Sequence, residues 1–387
     1  MKKFGLLICL FSVLFVQCSN KSQRTGSDNG NGNNIIDTSD VFFASSSSGE
    51  YMDRTGKIVI KLKKVLCSED FSEDLARVEI FVDELHDSFW GYIDKTGKFV
   101  IKPQFYNACD FSEGLAAVEV WLLGEFLWGY IDKTGDFIIK PRFSNACDFS
   151  EGLARVCVET EDTLSHMMRK KWGYINRSGK YVIEPQFDDA FDFSEGLARV
   201  YVGNQWGYID KTGNFVIELP FDDVYHSLEL DVDGFLAYDF SEGLARVGDF
   251  SGYSEGLARA GVYTGIKWGY IDKTGKFVIE PQFSRAGDFC EGLARVKING
   301  KWGYIDKTGE FIVVPQFVEA GDFSENLALV DIGPFSRWGC IDKTGKIVFM
   351  IDDRVYNTDC CRFSNGLVKI GWDTYIDKTG KCIKPHR

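Results

Sequence analysis

From residue 50 to the C-terminus, apolar and polar positions alternate in short runs, and the alternation keeps restarting. Trp268-Gly-Tyr-Ile-Asp272 alternates in size and polarity, as a half-buried strand does. Phe277-Val-Ile279 is aromatic and β-branched, which predicts a returning strand. Between them, Asp272-Lys-Thr-Gly275 reads as a turn. Its Asp accepts backbone N–H groups two residues on, and its Gly takes a positive φ beside a bulge. Pro281 is expected to end the second strand, because it has no N–H for a ladder. After a crossover, Leu293-Ala-Arg-Val296 forms a third short strand, led to the next Trp by Asn299-Gly300. Each unit is therefore predicted to be a three-stranded antiparallel meander plus one crossover.

The turn recurs nine times, at 52–56, 93–97, 131–135, 175–179, 209–213, 271–275, 305–309, 341–345 and 376–380. Neighbours are mostly 34 to 38 residues apart, a period typical of solenoids and propellers. One small meander cannot bury its own apolar face, so stacked neighbours must supply the rest. The fold class is all-β. It is either a β-propeller-like ring, which protects sheet edges, or an open β superhelix, which needs caps. The terminal hairpins duplicate each other and leave this choice open. The Gly after each Trp is expected to permit a close backbone approach or a strong local twist.

The recurring string WGYIDKTGKFVIxPQFxxAxDFSEGLARV resembles the WG-repeat family of bacterial proteins over about residues 50–387. The resemblance implies a β-repeat architecture, often on exported or multidomain proteins, and no common reaction.

The N-terminus changes the picture. Lys2 and Lys3 precede an uncharged apolar run, Phe4 to Val16, too short for a comfortable membrane span. Cys18 ends the run. The segment resembles a bacterial lipoprotein signal, which implies lipidation of Cys18, although Gln17 and Phe15 depart from the usual residues. Other secretory signals and a retained anchor are the alternatives. Residues 1–18 are thus read as a signal peptide. Residues 19–48, rich in Ser, Asn, Gly and Asp, are read as a flexible tether. Residues 49–387 form the repeat domain. A lipid-anchored protein of the cell envelope is expected, attached to the membrane through the anchor only.

Composition excludes some classes and leaves others. A formal net charge of −13 argues against nucleic-acid binding. Acids recur in nearly every unit, which favours turn and loop hydrogen bonding over a unique catalytic pair. The four histidines, His86, His166, His226 and His386, lie outside the repeat core and carry no catalytic motif context. Cys109, Cys147, Cys290 and Cys340 substitute for mixed residues and read as small buried hydrophobes, with disulfides left open. No catalytic site, metal or cofactor is expected. The recurrent Trp and Tyr suit core packing better than a sugar-binding ladder.

Differences between units are where function has room. The segment before Trp-Gly is long in 79–89, 119–127 and 157–171, and a further insertion covers 224–238. The three long segments are expected on one face. Trp121, Leu122, Leu123, Phe126, His166, Met167 and Met168 there are the candidate partner-binding residues. The expected function is a non-enzymatic envelope scaffold that binds protein partners, with carbohydrate or peptidoglycan binding as the alternative.

Overall fold

The computed structural model describes residues 41–45, 49–83, 85–161, 168–203, 205–219, 237–249, 267–333, 337–351, 355, 362–371 and 374–384. They fall in one compact unit, 37–387, and form nine antiparallel sheets. In chain order the sheets cover 41–61, 65–105, 107–143, 145–187, 189–218, 244–283, 285–317, 319–350 and 367–383. The strand Val41–Ser45 lies inside the segment 19–48 read as a tether, and it pairs with Glu50–Asp53.

The second sheet shows how the repeat builds its register. Ala76–Val82 pairs with Asp87–Ile93, which pairs with Phe99–Phe105. Asp94 Oδ1 accepts from the backbone N–H of Thr96 at 2.9 Å and of Lys98 at 3.1 Å, closing the turn. Gly97 completes it at φ 81°. The register shifts between Trp90 and Tyr92, where Gly91 sits. A Cβ there would lie 2.6 Å from Pro103 N and 2.7 Å from Ile101 O, so only Gly lets the two backbones touch.

One expectation needs correction. Pro103 does not end its strand; Phe99–Phe105 runs through it. The strand is at a sheet edge and the Pro falls at a bulge, where no ladder N–H is required. The three-stranded meander is present in every sheet, and in most sheets a fourth strand joins it. The crossover contributes a strand of its own, only two residues long at Asn107–Ala108, Asp189–Ala190, Arg285–Ala286 and Glu319–Ala320. This strand pairs with the Leu-Ala-Arg-Val strand, as in Ala108↔Val118 and Ala190↔Val200.

The core is a series of sheet-on-sheet interfaces. Tyr130, Ile139 and Phe143 of the third sheet meet Ala146, Phe149 and Val156 of the fourth. Tyr304, Val313 and Phe317 of the seventh meet Ala320, Phe323 and Val330 of the eighth in the same way. The Tyr hydroxyl, fully buried, donates to a backbone carbonyl in the next sheet, as from Tyr130 to Cys147 and from Tyr304 to Gly321, both at 2.7 Å. The turn Gly of each sheet packs on an aliphatic or aromatic side chain of the sheet before, as Gly135 does on Ile101 and Gly309 on Ile279.

The series closes on itself. Met52 of the first sheet shares a buried cluster with Leu367, Tyr375 and Ile383 of the ninth. Gly56 packs on Ile383 by the contact used at the other eight interfaces. The architecture is a β-propeller-like ring, and the open superhelix is set aside.

Candidate functional site

Two features stand out from the shared scaffold. The first is a relay of charges between sheets. In five interfaces the Arg of Leu-Ala-Arg-Val reaches the Asp of Asp-Phe-Ser-Glu, or of Asp-Phe-Cys-Glu at Asp288, in the next sheet. Arg77, Arg155, Arg246 and Arg295 hold Asp110, Asp192, Asp288 and Asp322 at 2.8 to 2.9 Å, and Arg199 approaches Asp239 at 3.7 Å. Each guanidinium also donates to the Ala carbonyl of the short crossover strand: Ala108, Ala190, Ala237, Ala286 or Ala320. Each lies over the Trp ring of its own sheet, 5.1 Å from Trp90 and 5.3 Å from Trp172, for example. The recurrent Trp is thus a stacking plate for an internal Arg. It is not a free face for sugars at these five positions.

A second set of bonds runs the same way round. Glu113 accepts from Gly152 N at 3.0 Å, and Glu242 from Gly292 N at 2.9 Å. Lys211, Lys273 and Lys307 reach back to Glu151, Glu195 and Glu242 of the preceding sheet. The recurrent acids therefore serve inter-sheet bonding as well as turns, and sequence reasoning assigned them to turns and loops alone.

The relay is not made at every interface: in the first sheet Ala44 pairs with Tyr51 in the register where Arg77 pairs with Tyr92, and two further breaks are informative. Leu329 replaces Arg in the eighth sheet, and Arg362 replaces Asp in the ninth. Arg362 turns to Asp322 instead, at 2.6 Å, so both sides of that change are balanced. In the third sheet Ala117 stands where Arg would be, facing Tyr130 in the same register as Arg77 faces Tyr92. Its counterpart Asp148 keeps its carboxylate. Asp148 Oδ1 is buried, and the carboxyl takes a hydrogen bond from the Cys109 thiol in place of an arginine. Burial, with the like charges of Asp110 and Asp192, pushes this carboxyl up to about 6. Beside it, burial raises the Cys109 thiol to about 12 and that of Cys147 to about 11, so neither is a thiolate nucleophile at neutral pH. Cys67, Cys109, Cys147, Cys157, Cys290 and Cys340 are free thiols.

The second feature is an exposed aromatic hairpin. Ala116–Leu122 and Glu125–Ile131 are joined by Leu123-Gly124, and both turn residues have positive φ, 55° and 94°. Asn299-Gly300 makes the equivalent turn in the seventh sheet, at φ 51° and 78°. Asn is at home in that conformation; Leu is not. Leu123 is 96% exposed and Trp121 52%. Leu122 and Phe126 are exposed as well. Trp121 packs edge-on against Phe126 at 4.6 Å, Phe126 against Tyr106 at 5.1 Å, and Tyr106 against Phe89 of the second sheet at 5.1 Å. Four rings thus link the second and third sheets and hold the hairpin in place.

Of the other residues singled out in the sequence, Met168 is exposed at the start of Met168–Asn176. Cys18, His166 and Met167 lie outside the described residues, as do residues 224–236 of the insertion at 224–238 and the second Ser-Glu-Gly-Leu-Ala-Arg copy, 254–259. Among the described residues no three His, Cys, Asp or Glu side chains converge to hold a metal ion.

The fold and these interfaces define an all-β repeat ring of propeller-like type. Six stretches, 90–120, 128–159, 172–206, 206–227, 268–302 and 302–333, match the WG containing repeat, so this part of the chain is an array of WG repeats. No curated protein matches the chain. Among solved structures, an acylaminoacyl peptidase of Pyrococcus horikoshii aligns at 11% identity and TM-score 0.37, over 73% of this chain and 51% of that one. Prolyl oligopeptidase B of Galerina marginata aligns at 11% identity and TM-score 0.37, over 73% of this chain and 49% of that one. The chain spans about half the length of these peptidases.

Proposed function

We propose that the chain is a non-enzymatic repeat scaffold of the cell envelope that binds a protein partner through the hairpin at 119–127. The observation that carries this reading is Leu123. It combines a disfavoured backbone conformation with an almost fully exposed apolar side chain, beside a Trp and a Phe that are also exposed. Each is a cost to the isolated molecule, and local strain with exposed apolar surface marks binding tips. The ring network beneath holds the tip rigid, so little conformational entropy is lost when a partner covers it. The apolar N-terminal run ending at Cys18 supports an envelope location.

The test is capture from solubilised envelope by the full chain, beside a Trp121→Ser/Leu123→Asn variant of unchanged circular dichroism. A retained protein that the variant loses supports the reading. An identical retained set for both chains overturns it. Carbohydrate binding is the second reading, favoured by the exposed Trp121 ring against Phe126. Saturable quenching of Trp fluorescence by soluble peptidoglycan fragments, absent in Trp121→Phe, would move the assignment there.

A further inference from the structure

We propose that the interface between the third and fourth sheets is an acceptor site for a guanidinium group supplied by another molecule. The inference rests on the charge relay and is independent of the hairpin at 119–127.

The ring itself shows what such an interface takes. At five interfaces the same three partners receive a guanidinium: an Asp carboxylate, the carbonyl of an Ala on the crossover strand, and a Trp face. The third-to-fourth interface has the equivalent residues. Asp148 stands in the Asp position. Ala146 pairs with Val156 as Ala108 pairs with Val118 and Ala190 with Val200. Trp128 precedes Gly129 in the register of Trp90 and Trp172. Only the donor differs, because Ala117 has no cationic head. The interface between the eighth and ninth sheets also lacks its Arg and has lost the acceptor too: Arg362 occupies the Asp position. Asp148 keeps an acceptor for which its neighbouring sheet provides no Arg.

The electrostatics favour an external cation. Asp110 and Asp192 flank Asp148, and each is already held by its own arginine, Arg77 or Arg155. A partly buried carboxylate left in that setting is costly, and a cation brought to it recovers the loss. Asp148 itself is only partly buried, so its carboxylate is within reach of solvent. A guanidinium suits it better than an ammonium. Its planar fork meets a carboxylate and a carbonyl together while its face lies on the indole.

The experiment is calorimetric titration of the full chain at neutral pH with three probes: acetyl-Gly-Arg-Gly-amide, the Lys analogue of that peptide, and agmatine. Saturable binding of a guanidinium probe is expected, with the Lys peptide at least tenfold weaker. Asp148→Asn should weaken binding at least tenfold, and Ala117→Arg, which supplies the missing head in cis, should abolish it. A tighter Arg peptide than agmatine assigns the site to a partner's arginine side chain; the reverse order assigns it to a small free guanidinium compound. Absence of saturable binding to either probe, or binding unchanged in Asp148→Asn, overturns the proposal. Should Ala117→Arg fail to fold, Asp148→Asn still decides, since it removes a buried charge and keeps the shape. The Trp121→Ser/Leu123→Asn chain should bind the probes unchanged, which separates this site from the hairpin reading.

Discussion

Gly56, in the first hairpin turn, packs against Ile383, in the last strand. A Cβ on Gly56 would lie 3.1 Å from Ile383 Cγ2 and 2.6 Å from the carbonyl oxygen of Lys384. The seam between the ends of the domain is therefore made like every other interface. Gly56→Ala should cost about 2 to 4 kcal/mol, from the positive φ and from the steric contact together. Gly97→Ala, which meets Ile60 at 2.6 Å, should cost a similar amount. Gly124→Ala has a positive φ and no atom within 4 Å, so it should cost only about 1 kcal/mol. Urea unfolding measures all three. A seam that is open in solution would place Gly56→Ala with Gly124→Ala.

Tyr304 is fully buried, and its hydroxyl donates to Gly321 O at 2.7 Å. Tyr304→Phe leaves that carbonyl without its donor while keeping the ring contact with Phe323. A loss of about 1 to 2 kcal/mol is expected, read from the thermal midpoint.

Asn176 occupies a turn position that is Asp in the other copies, and its Oδ1 accepts from Ser178 N and Lys180 N as Asp94 Oδ1 does from Thr96 N and Lys98 N. Asp94→Asn should therefore change stability by less than about 0.5 kcal/mol. Asp94→Leu removes the acceptor and should cost about 1 to 2 kcal/mol. Equal effects of the two changes would refute the assigned bonds.

Asp148 binds its proton more tightly in the folded chain, near pH 6, than in the unfolded chain, near the ordinary carboxylate value of 3.8. Between those limits the folded state carries more of the proton, so this residue's contribution falls as pH rises from about 4 to 6. The Asp residues of the turns, Asp94 and Asp377 among them, are shifted downward and act in the opposite direction. The comparison with Asp148→Asn isolates the effect. The variant should gain on the parent chain by about 1 to 2 kcal/mol between pH 4 and pH 7, after allowance for solvent screening. Parallel stability curves across that window would show that Asp148 is not strained by its surroundings.

Leu123 holds a turn position where Asn is favoured. Leu123→Asn should raise stability by about 0.5 to 1 kcal/mol and at the same time remove the largest exposed part of the tip. Thermal unfolding checks the first half. A destabilised variant would mean that Leu123 is held by contacts of its own.

The parts of this architecture legible in the sequence are those settled by neighbours in the chain. The Asp–Gly turns, the two strands they join and the close approach at Trp-Gly each depend on a few adjacent residues, and the structure has them as read. The strand at Asn107–Ala108 was not legible, because two residues show no periodicity. Pro103 misled for a related reason: whether a strand tolerates Pro depends on whether it lies at an edge, and that depends on topology. The Arg–Asp relay was hidden by distance. Arg77 and Asp110 are 33 residues apart, and each looks like an ordinary surface charge until the sheets are stacked. Ala117 was visible as a departure from Leu-Ala-Arg-Val, but its meaning required knowing what Arg does elsewhere.

The closed seam also bears on how such a chain can change over time. In an open stack, a tandem duplication of one unit simply lengthens the array. Here an added or deleted unit would pull Gly56 away from Ile383 and alter the angle at which every neighbour meets. Copy number is thus fixed by closure, and variation is channelled into the hairpin tips, where length can grow without disturbing the circle.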